Sequence, residues 1–264
     1  MQVGIIGLGV VGDTLDYGFT RLGHDVYKHD IKLGTSIHDV LAAELVFVCV
    51  PTPSAPDGSC NVSVVDLVVD ELAHNSYKGL VVIKSTVTPG TTDRLQKQHP
   101  TLRLAFCPEF LREKSTYSDF VENHDVLIYG TYNAADACLI NQVHGHYPKQ
   151  LAWVGPLEAE LCKYFSNTFN ALRIIFANQF FEMCEAVGAD YTVVKNAISK
   201  RTSIGGYYLD CNKNFRAFGG SCLPKDTAAL ATFVRERGID ANVFQWLLDE
   251  NDKLKQPKLK EAAE

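Results

Sequence analysis

Six residues near the start of the chain, Gly7-Leu8-Gly9-Val10-Val11-Gly12, restrict its fold more than any other feature of its 264 residues. They follow Val3–Ile6, a short apolar run of strand type, and open an apolar helical stretch that ends at Leu22-Gly23. Between a strand and a helix, this spacing has a mechanical reading. The first glycine makes the tight turn, the second lets a pyrophosphate approach the backbone, and the third lets the helix pack on the strand. Gly7, Gly9, Val10, Val11 and Gly12 are therefore candidate dinucleotide contacts. Asp30 stands eighteen residues past Gly12, at the expected end of a second strand. A carboxylate there accepts hydrogen bonds from the adenosine ribose hydroxyls and repels a 2′-phosphate, which favours NAD over NADP. Lys28 and Lys32 beside it keep NADP open.

Short β-rich runs alternate with helical patterns through the first part of the chain, the signature of a doubly wound, Rossmann-type α/β fold with a parallel sheet covered on both faces. Expected strands are Val3–Ile6, Asp25–Lys28, Leu45–Cys49, Leu80–Lys84, Leu102–Phe106 and Asp125–Tyr129. The third leads into Val50-Pro51-Thr52-Pro53, at the carboxyl end of the sheet where such folds bind ligands, so Val50, Pro51 and Thr52 are further cofactor candidates. From Gly155 the pattern becomes helical. Pro156 suits a first helical position, and Leu161, Phe165, Phe169, Leu172, Phe176, Phe180, Met183 and Val187 recur at steps of three and four, predicting a helix of about nine turns. The expected organisation is a nucleotide-binding domain over 1–154 and an all-helical domain over 155–264, with a solvated, lysine-rich last dozen residues.

Composition narrows the function classes. With 46% hydrophobic and 21% charged residues the chain has the balance of an ordinary globular protein, and its longest apolar runs fall far short of the roughly 20 residues of a membrane-spanning helix. The cytoplasm is the expected location, with no membrane partner. A formal charge of −6 offers no basic stripe for nucleic acid. The eight cysteines form no C-x-x-C pair, so no metal site is expected.

The segment Phe218-Gly219-Gly220-Ser221-Cys222-Leu223-Pro224-Lys225-Asp226 carries the chemistry. Pro224 and Asp226 suit the first turn of a helix, placing Cys222 just before its N-terminus with Lys225 three residues on. Both fields favour a thiolate, and Cys222 is the candidate nucleophile. On the long helix Lys163, Asn167 and Asn170 share a face roughly opposite the apolar stripe, where an ammonium and an amide one turn apart could hold one substrate oxygen; a plain polar face is the other reading. Cys107-Pro108-Glu109-Phe110-Leu111-Arg112-Glu113 and Lys84-Ser85-Thr86-Val87-Thr88-Pro89-Gly90-Thr91 each follow a strand, which puts Glu109 and Thr86 at the same end of the sheet.

In this order, Gly7–Gly12, Cys49–Pro53 with Asp57-Gly58, Lys84–Thr91, Pro108–Glu113, Lys163-x-x-x-Asn167, Cys184-Glu185-Ala186-x-Gly188-Ala189-Asp190 and Gly219–Asp226 resemble the strings of the UDP-glucose/GDP-mannose dehydrogenase family. The resemblance covers roughly residues 1–252. It implies a four-electron, NAD-dependent oxidation of a nucleotide-sugar primary alcohol, UDP-glucose first among candidates, through a thiohemiacetal and thioester on Cys222. It further implies that Lys163 and Asn167 stabilise the oxyanion, that Asp226 positions Lys163 and a water, that Glu109 and Thr86 handle the water, and that Thr86 and Lys225 also touch the cofactor. Cys107 departs from the family, which commonly has Asn there, and Ser203 stands where an arginine is usual, with Arg201 nearby. Family members continue into a further nucleotide-sugar domain, so weak turnover is expected of this stretch alone. A β-hydroxyacid dehydrogenase, which needs no cysteine, resembles the chain in layout and in its Lys-x-x-x-Asn pair. An NAD-binding dimer without turnover is the third reading. A homodimer through the long helix is expected, because its phenylalanines make more apolar surface than one small domain would cover.

Overall fold

Seven short strands are apolar or mixed along their length because most are covered on both sides: β1 (Gln2–Ile6), β2 (Asp25–His29), β3 (Leu45–Val48), β4 (Leu80–Ile83), β5 (Arg103–Phe106), β6 (Leu127–Gly130) and β7 (Leu151–Val154). They belong to a computed structural model that describes residues 1–112 and 114–255. The strands form one sheet in the order β2-β1-β3-β4-β5-β6-β7. Pairing is parallel from β2 through β5, antiparallel where Phe106 meets Gly130, and parallel again between β6 and β7. The doubly wound sheet is thus present, with one reversed joint. β7 was not expected from sequence. Its four residues include exposed Leu151 and Trp153 on a sheet edge, so it has no fully buried position to give a strand signal.

Each face has its own core. Val3, Ile5, Leu45, Phe47, Leu80 and Val82 pack with Leu15 and Phe19 of α1 (Val10–Arg21), with Phe120 of α4 (Thr116–Val121), and with Ile140 and Val143 of α5 (Ala134–His144). On the other face Ile6, Val46, Val48, Val81, Ile83 and Phe106 meet Val65, Val69 and Leu72 of α2 (Ser63–His74) and Leu95 of α3 (Thr91–Gln98). The start of α3 has no local cap. Glu160, 70 positions later, accepts from the Gly90 and Thr92 N–H groups and the Thr92 hydroxyl, filling the role of an N-cap from a distance.

Chain contacts separate two units, Met1–Ala55 with Cys60–Lys163, and Pro56–Ser59 with Tyr164–Glu264. The long helix α6 (Pro156–Val187) has 32 residues, as the periodicity implies, and passes from the first unit into the second after Lys163. The second unit contains the rest of α6, α7 (Tyr191–Ile198), α8 (Leu223–Glu236) and α9 (Val243–Lys255). Its apolar contacts join Ala171 and Ile175 to Phe218 and Leu247, and Ala177, Phe181 and Cys184 to Tyr191, Leu209 and Cys211. Of the lysine-rich last dozen residues, Lys253 and Lys255 end α9; Lys258 and Lys260 lie outside the described residues, as does Glu113.

Most of the apolar stripe of α6 faces outward, with Phe165 72% exposed, Phe176 58% and Val187 73%, whereas half-buried Leu172 and Phe180 pack against the second unit's apolar clusters and Lys163, Asn167 and Asn178 are buried. Asn170 is half-buried. Periodicity finds the stripe but does not say which side of it the protein covers.

Candidate active site

In the first unit, side chains that follow successive strands gather at one end of the sheet. Gly7 closes β1 with φ +88°, a conformation that favours glycine, and a Cβ there would lie 2.7 Å from the Cys49 carbonyl oxygen. A Cβ on Gly12 would lie 1.9 Å from the Gly7 oxygen, whereas one on Gly9 would meet nothing within 4 Å. The loop is therefore closed on its protein side and open on its outer side, over the uncapped N-terminus of α1, which begins at Val10 and Val11. That arrangement suits a pyrophosphate.

Asp30 follows β2 and turns back to this loop. Its carboxylate accepts from the Leu8 N–H at 2.7 Å and the Lys32 N–H at 2.8 Å. These two bonds, Leu8's first, hold its pKa below the ordinary value and keep it anionic beside the glycine loop. Lys28, one of the two lysines that left NADP open, pairs with Asp16 at 2.8 Å.

The Val50–Thr52 loop follows β3, with Pro51 exposed, Val50 half-buried and Thr52 buried. Ser85, after β4, donates its hydroxyl to the Val50 carbonyl at 2.7 Å, tying that loop to the half-buried Thr86. In-register pairing of Val48 with Ile83 and Ile83 with Phe106 then aligns Cys49, Lys84 and Cys107, the next residue of each strand. Burial pushes the Cys49 thiol up to about 12 and raises that of Cys107, so neither is a ready nucleophile.

Glu109 lies two residues past Cys107. The Lys163 ammonium of α6 donates to its carboxylate at 2.8 Å and its carbonyl at 2.6 Å, and the Leu111 N–H reaches its other carboxylate oxygen at 2.7 Å. Burial raises the Glu109 pKa, but the charge and hydrogen bond of Lys163, the Leu111 bond and the charge of Lys84 together bring it below the usual range. The result is a buried ion pair of defined orientation.

In the second unit Cys222 is the N-cap residue of α8 and is exposed, with the Ser221 hydroxyl 3.5 Å from its sulfur. Pro224 occupies the first turn, and Gly220 has φ +76°. One turn into the helix Asp226 is fully buried, accepting from the Asn167 amide at 2.6 Å and from the Lys225 ammonium at 2.6 Å. The candidate residues thus fall into two groups. Gly7, Gly9, Val10, Val11, Gly12, Asp30, Val50, Pro51, Thr52, Thr86, Glu109 and Lys163 belong to the first unit, and Asn167, Cys222, Lys225 and Asp226 to the second.

Sequence reasoning missed Asn251 of α9, 1% exposed, whose side chain accepts from the Phe218 N–H and donates to the Phe218 carbonyl, fixing the start of the Gly219–Cys222 segment. An asparagine on a polar-rich helix carries no signal of this. The pairing of Lys163 with Glu109 across 54 positions has none either.

A doubly wound sheet with this glycine loop and an acidic residue closing β2 defines an NAD-binding chain of the dehydrogenase type. The model of the UDP-glucose/GDP-mannose dehydrogenase family NAD-binding domain matches residues 31–147, and that of the family's central domain matches 157–253. UDP-glucose 6-dehydrogenase AglM of Haloferax volcanii is 30% identical over 305 residues, covering 96% of this chain and 70% of that protein. The UDP-glucose 6-dehydrogenase of Rickettsia bellii is 32% identical over 247 residues, and there the chain spans 55% of the relative's length. Among solved structures, a UDP-glucose dehydrogenase from the hyperthermophilic archaeon Pyrobaculum islandicum superposes with TM-score 0.85 at 29% identity, covering 96% of this chain and 68% of that one. A 3-hydroxyisobutyrate dehydrogenase from Mycobacterium tuberculosis shares the fold at TM-score 0.76 and 15% identity, over 96% of this chain and 92% of that one. The chain belongs to the UDP-glucose/GDP-mannose dehydrogenase family, and NAD is its cofactor.

Proposed function

We propose that this chain serves the oxidation of a nucleotide-sugar primary alcohol, UDP-glucose foremost, to the carboxylate, with Cys222 as nucleophile. The observation that carries the reading is the exposed Cys222 at the head of α8, one turn before a fully buried Asp226 that is bound by Asn167 and Lys225. Such a thiol is free to attack while the groups behind it are fixed.

NAD, held by the Gly7–Gly12 loop and Asp30, supplies two hydride acceptances per substrate. In the first oxidation a base takes the hydroxyl proton as the alcohol carbon loses hydride. The Cys222 sulfur then bonds to the aldehyde carbon, and the carbonyl oxygen gains a proton to give a thiohemiacetal. Loss of a proton and a second hydride leaves a thioester; water adds, the carbon–sulfur bond breaks, and Cys222 is restored. Per alcohol, two NAD and one water yield one acid, two NADH and two protons. Lys163 and Asn167 are the oxyanion donors, Asp226 fixes Asn167 and a water, and Glu109 with Thr86 orients the water.

The fold is also that of a hydroxyacid dehydrogenase, which would release one NADH and ignore Cys222. An assay of the chain with NAD and a panel of UDP- and GDP-sugars, counting NADH per substrate, separates the readings. Two NADH per acid, abolished by Cys222→Ser, supports the thiol route. One NADH, or full activity in the variant, replaces it with the hydroxyacid reaction, and tight NAD binding without turnover indicates an NAD-binding module.

We also propose a homodimer through α6, supported by the exposed Phe165, Phe169, Phe176 and Met183, and a cytoplasmic location; no described helix is long and apolar enough to cross a membrane. A monomer by light scattering at micromolar concentration would remove the dimer.

A further inference from the structure

Lys84 is a buried ionisable group at the end of the sheet that the reaction above leaves without a role. It is 5% exposed, beyond the end of β4, between the in-register thiols of Cys49 and Cys107. Its ammonium donates to the Pro108 carbonyl at 3.3 Å and to the Cys107 sulfur at 3.4 Å. Sulfur is a weak acceptor, so the carbonyl is the stronger anchor. A position needing only volume would hold methionine or leucine, because a buried ammonium carries a desolvation penalty of several kcal/mol.

The backbone of the Glu109 turn shows what this ammonium meets. The carbonyl of Pro108 accepts from Lys84 and the next carbonyl, that of Glu109, accepts from Lys163 at 2.6 Å. Two consecutive carbonyls are therefore held by ammonium groups from two elements, the end of β4 and the start of α6. The Glu109 carboxylate is then bent back onto its own turn by Leu111 and onto Lys163. Releasing the Pro108 carbonyl frees the peptide plane immediately before Glu109, which decides where that carboxylate points.

We propose that Lys84 is a positioning residue that clamps the peptide before Glu109 and thereby holds Glu109 against Lys163. It touches neither substrate nor cofactor in this role, and acts through Glu109. The consequence for chemistry rests on the function proposed above, whereas the effect on Glu109 itself does not. With Lys84 present, Glu109 has a second positive charge nearby as well as a fixed backbone, and both favour its ionised form.

The test uses the whole chain with Lys84→Met, which removes charge and donor, and Lys84→Gln, which keeps a donor for the Pro108 carbonyl and removes only the charge. The Glu109 carboxyl is titrated by isotope-edited infrared difference spectroscopy, assigned by subtraction of Glu109→Gln, and NAD titration confirms that each variant is folded. Lys84→Met is expected to raise the Glu109 midpoint by about one pH unit or more, with Lys84→Gln in between. In the active chain the acid limb of the kcat profile should move by the same amount while KM for NAD stays within about twofold. If Lys84→Met does not fold, Lys84→Gln alone decides. A Glu109 midpoint unchanged in the folded variants overturns the proposal even if the wild type turns over. A shifted midpoint in a wild type that oxidises nothing supports the proposal and removes only the reaction.

Discussion

Replacing Glu160 sets two opposed effects against each other. The carboxylate is fully buried and receives the Gly90 N–H at 2.5 Å, the Thr92 N–H at 2.8 Å and the Thr92 hydroxyl at 2.6 Å, with Thr92 itself fully buried. Burial is the largest influence on its pKa and raises it, so the desolvation penalty exceeds what the three bonds return to the anion. Glu160→Gln removes that penalty. It also leaves one acceptor oxygen where there were two and turns an NH2 toward the Gly90 N–H. Losing a charge-assisted bond and facing donor with donor costs about 1.5–3 kcal/mol, and a neutral amide recovers only part of this. The expected net loss is about 2 kcal/mol for Glu160→Gln. For Glu160→Ala, which strands all three donors and opens a cavity, it is about 3–5 kcal/mol. For a unit of this size about 2 kcal/mol lowers Tm by roughly 4–8 °C.

Thermal unfolding followed by near-UV circular dichroism measures these differences. The pH dependence supplies a check of sign. The folded chain binds the Glu160 proton more tightly than the unfolded chain, so this group's contribution is full at low pH and is lost as pH rises from the ordinary 4.5. The gap between wild type and Glu160→Gln should therefore narrow as pH rises above that value. A glutamine variant as stable as the wild type would show that a neutral amide caps α3 as well as the carboxylate does, and a gap that widens with pH would show that the bonds outweigh desolvation; either result refutes this account of Glu160.

Two other perturbations are as direct. Burial lowers the pKa of His124 to about 4 and that of His144 well below the ordinary 6.5, the charge of Lys84 adding to both; the folded state thus binds fewer protons, and stability present above pH 6.5 is lost as pH falls toward about 4. Urea unfolding midpoints should drop over that window, and a flat profile would contradict it. Gly12→Ala places a methyl 1.9 Å from the Gly7 backbone oxygen and should destroy the loop, whereas Gly9→Ala meets no protein atom and should leave Tm unchanged while weakening NAD binding about tenfold or more by calorimetry. Equal effects of the two alanines would remove the distinction between a packing glycine and a cofactor-facing one.

The sequence by itself determined the features that depend on a few neighbouring residues. Gly7 needs a positive φ, Asp30 ends a strand that must pair beside β1, Pro156 starts a helix, and Pro224 with Asp226 start another that leaves Cys222 at its cap. Each follows from backbone sterics or helix-end chemistry acting over one or two turns. The tertiary structure alone decided partners and sides. Leu151–Val154 is a strand because β6 offers it an edge, and β6 runs against β5 through a single pair. Phe165, Phe169 and Phe176 of α6 face outward because Lys163 meets Glu109, Asn167 meets Asp226 and Asn178 meets Arg216 on the inner side. Cys107 and Lys84 are neighbours because strand order sets β5 beside β4. A helical period records that two faces differ, not which one is covered, and which distant residue will satisfy a buried charge is settled only when strand order brings the two together.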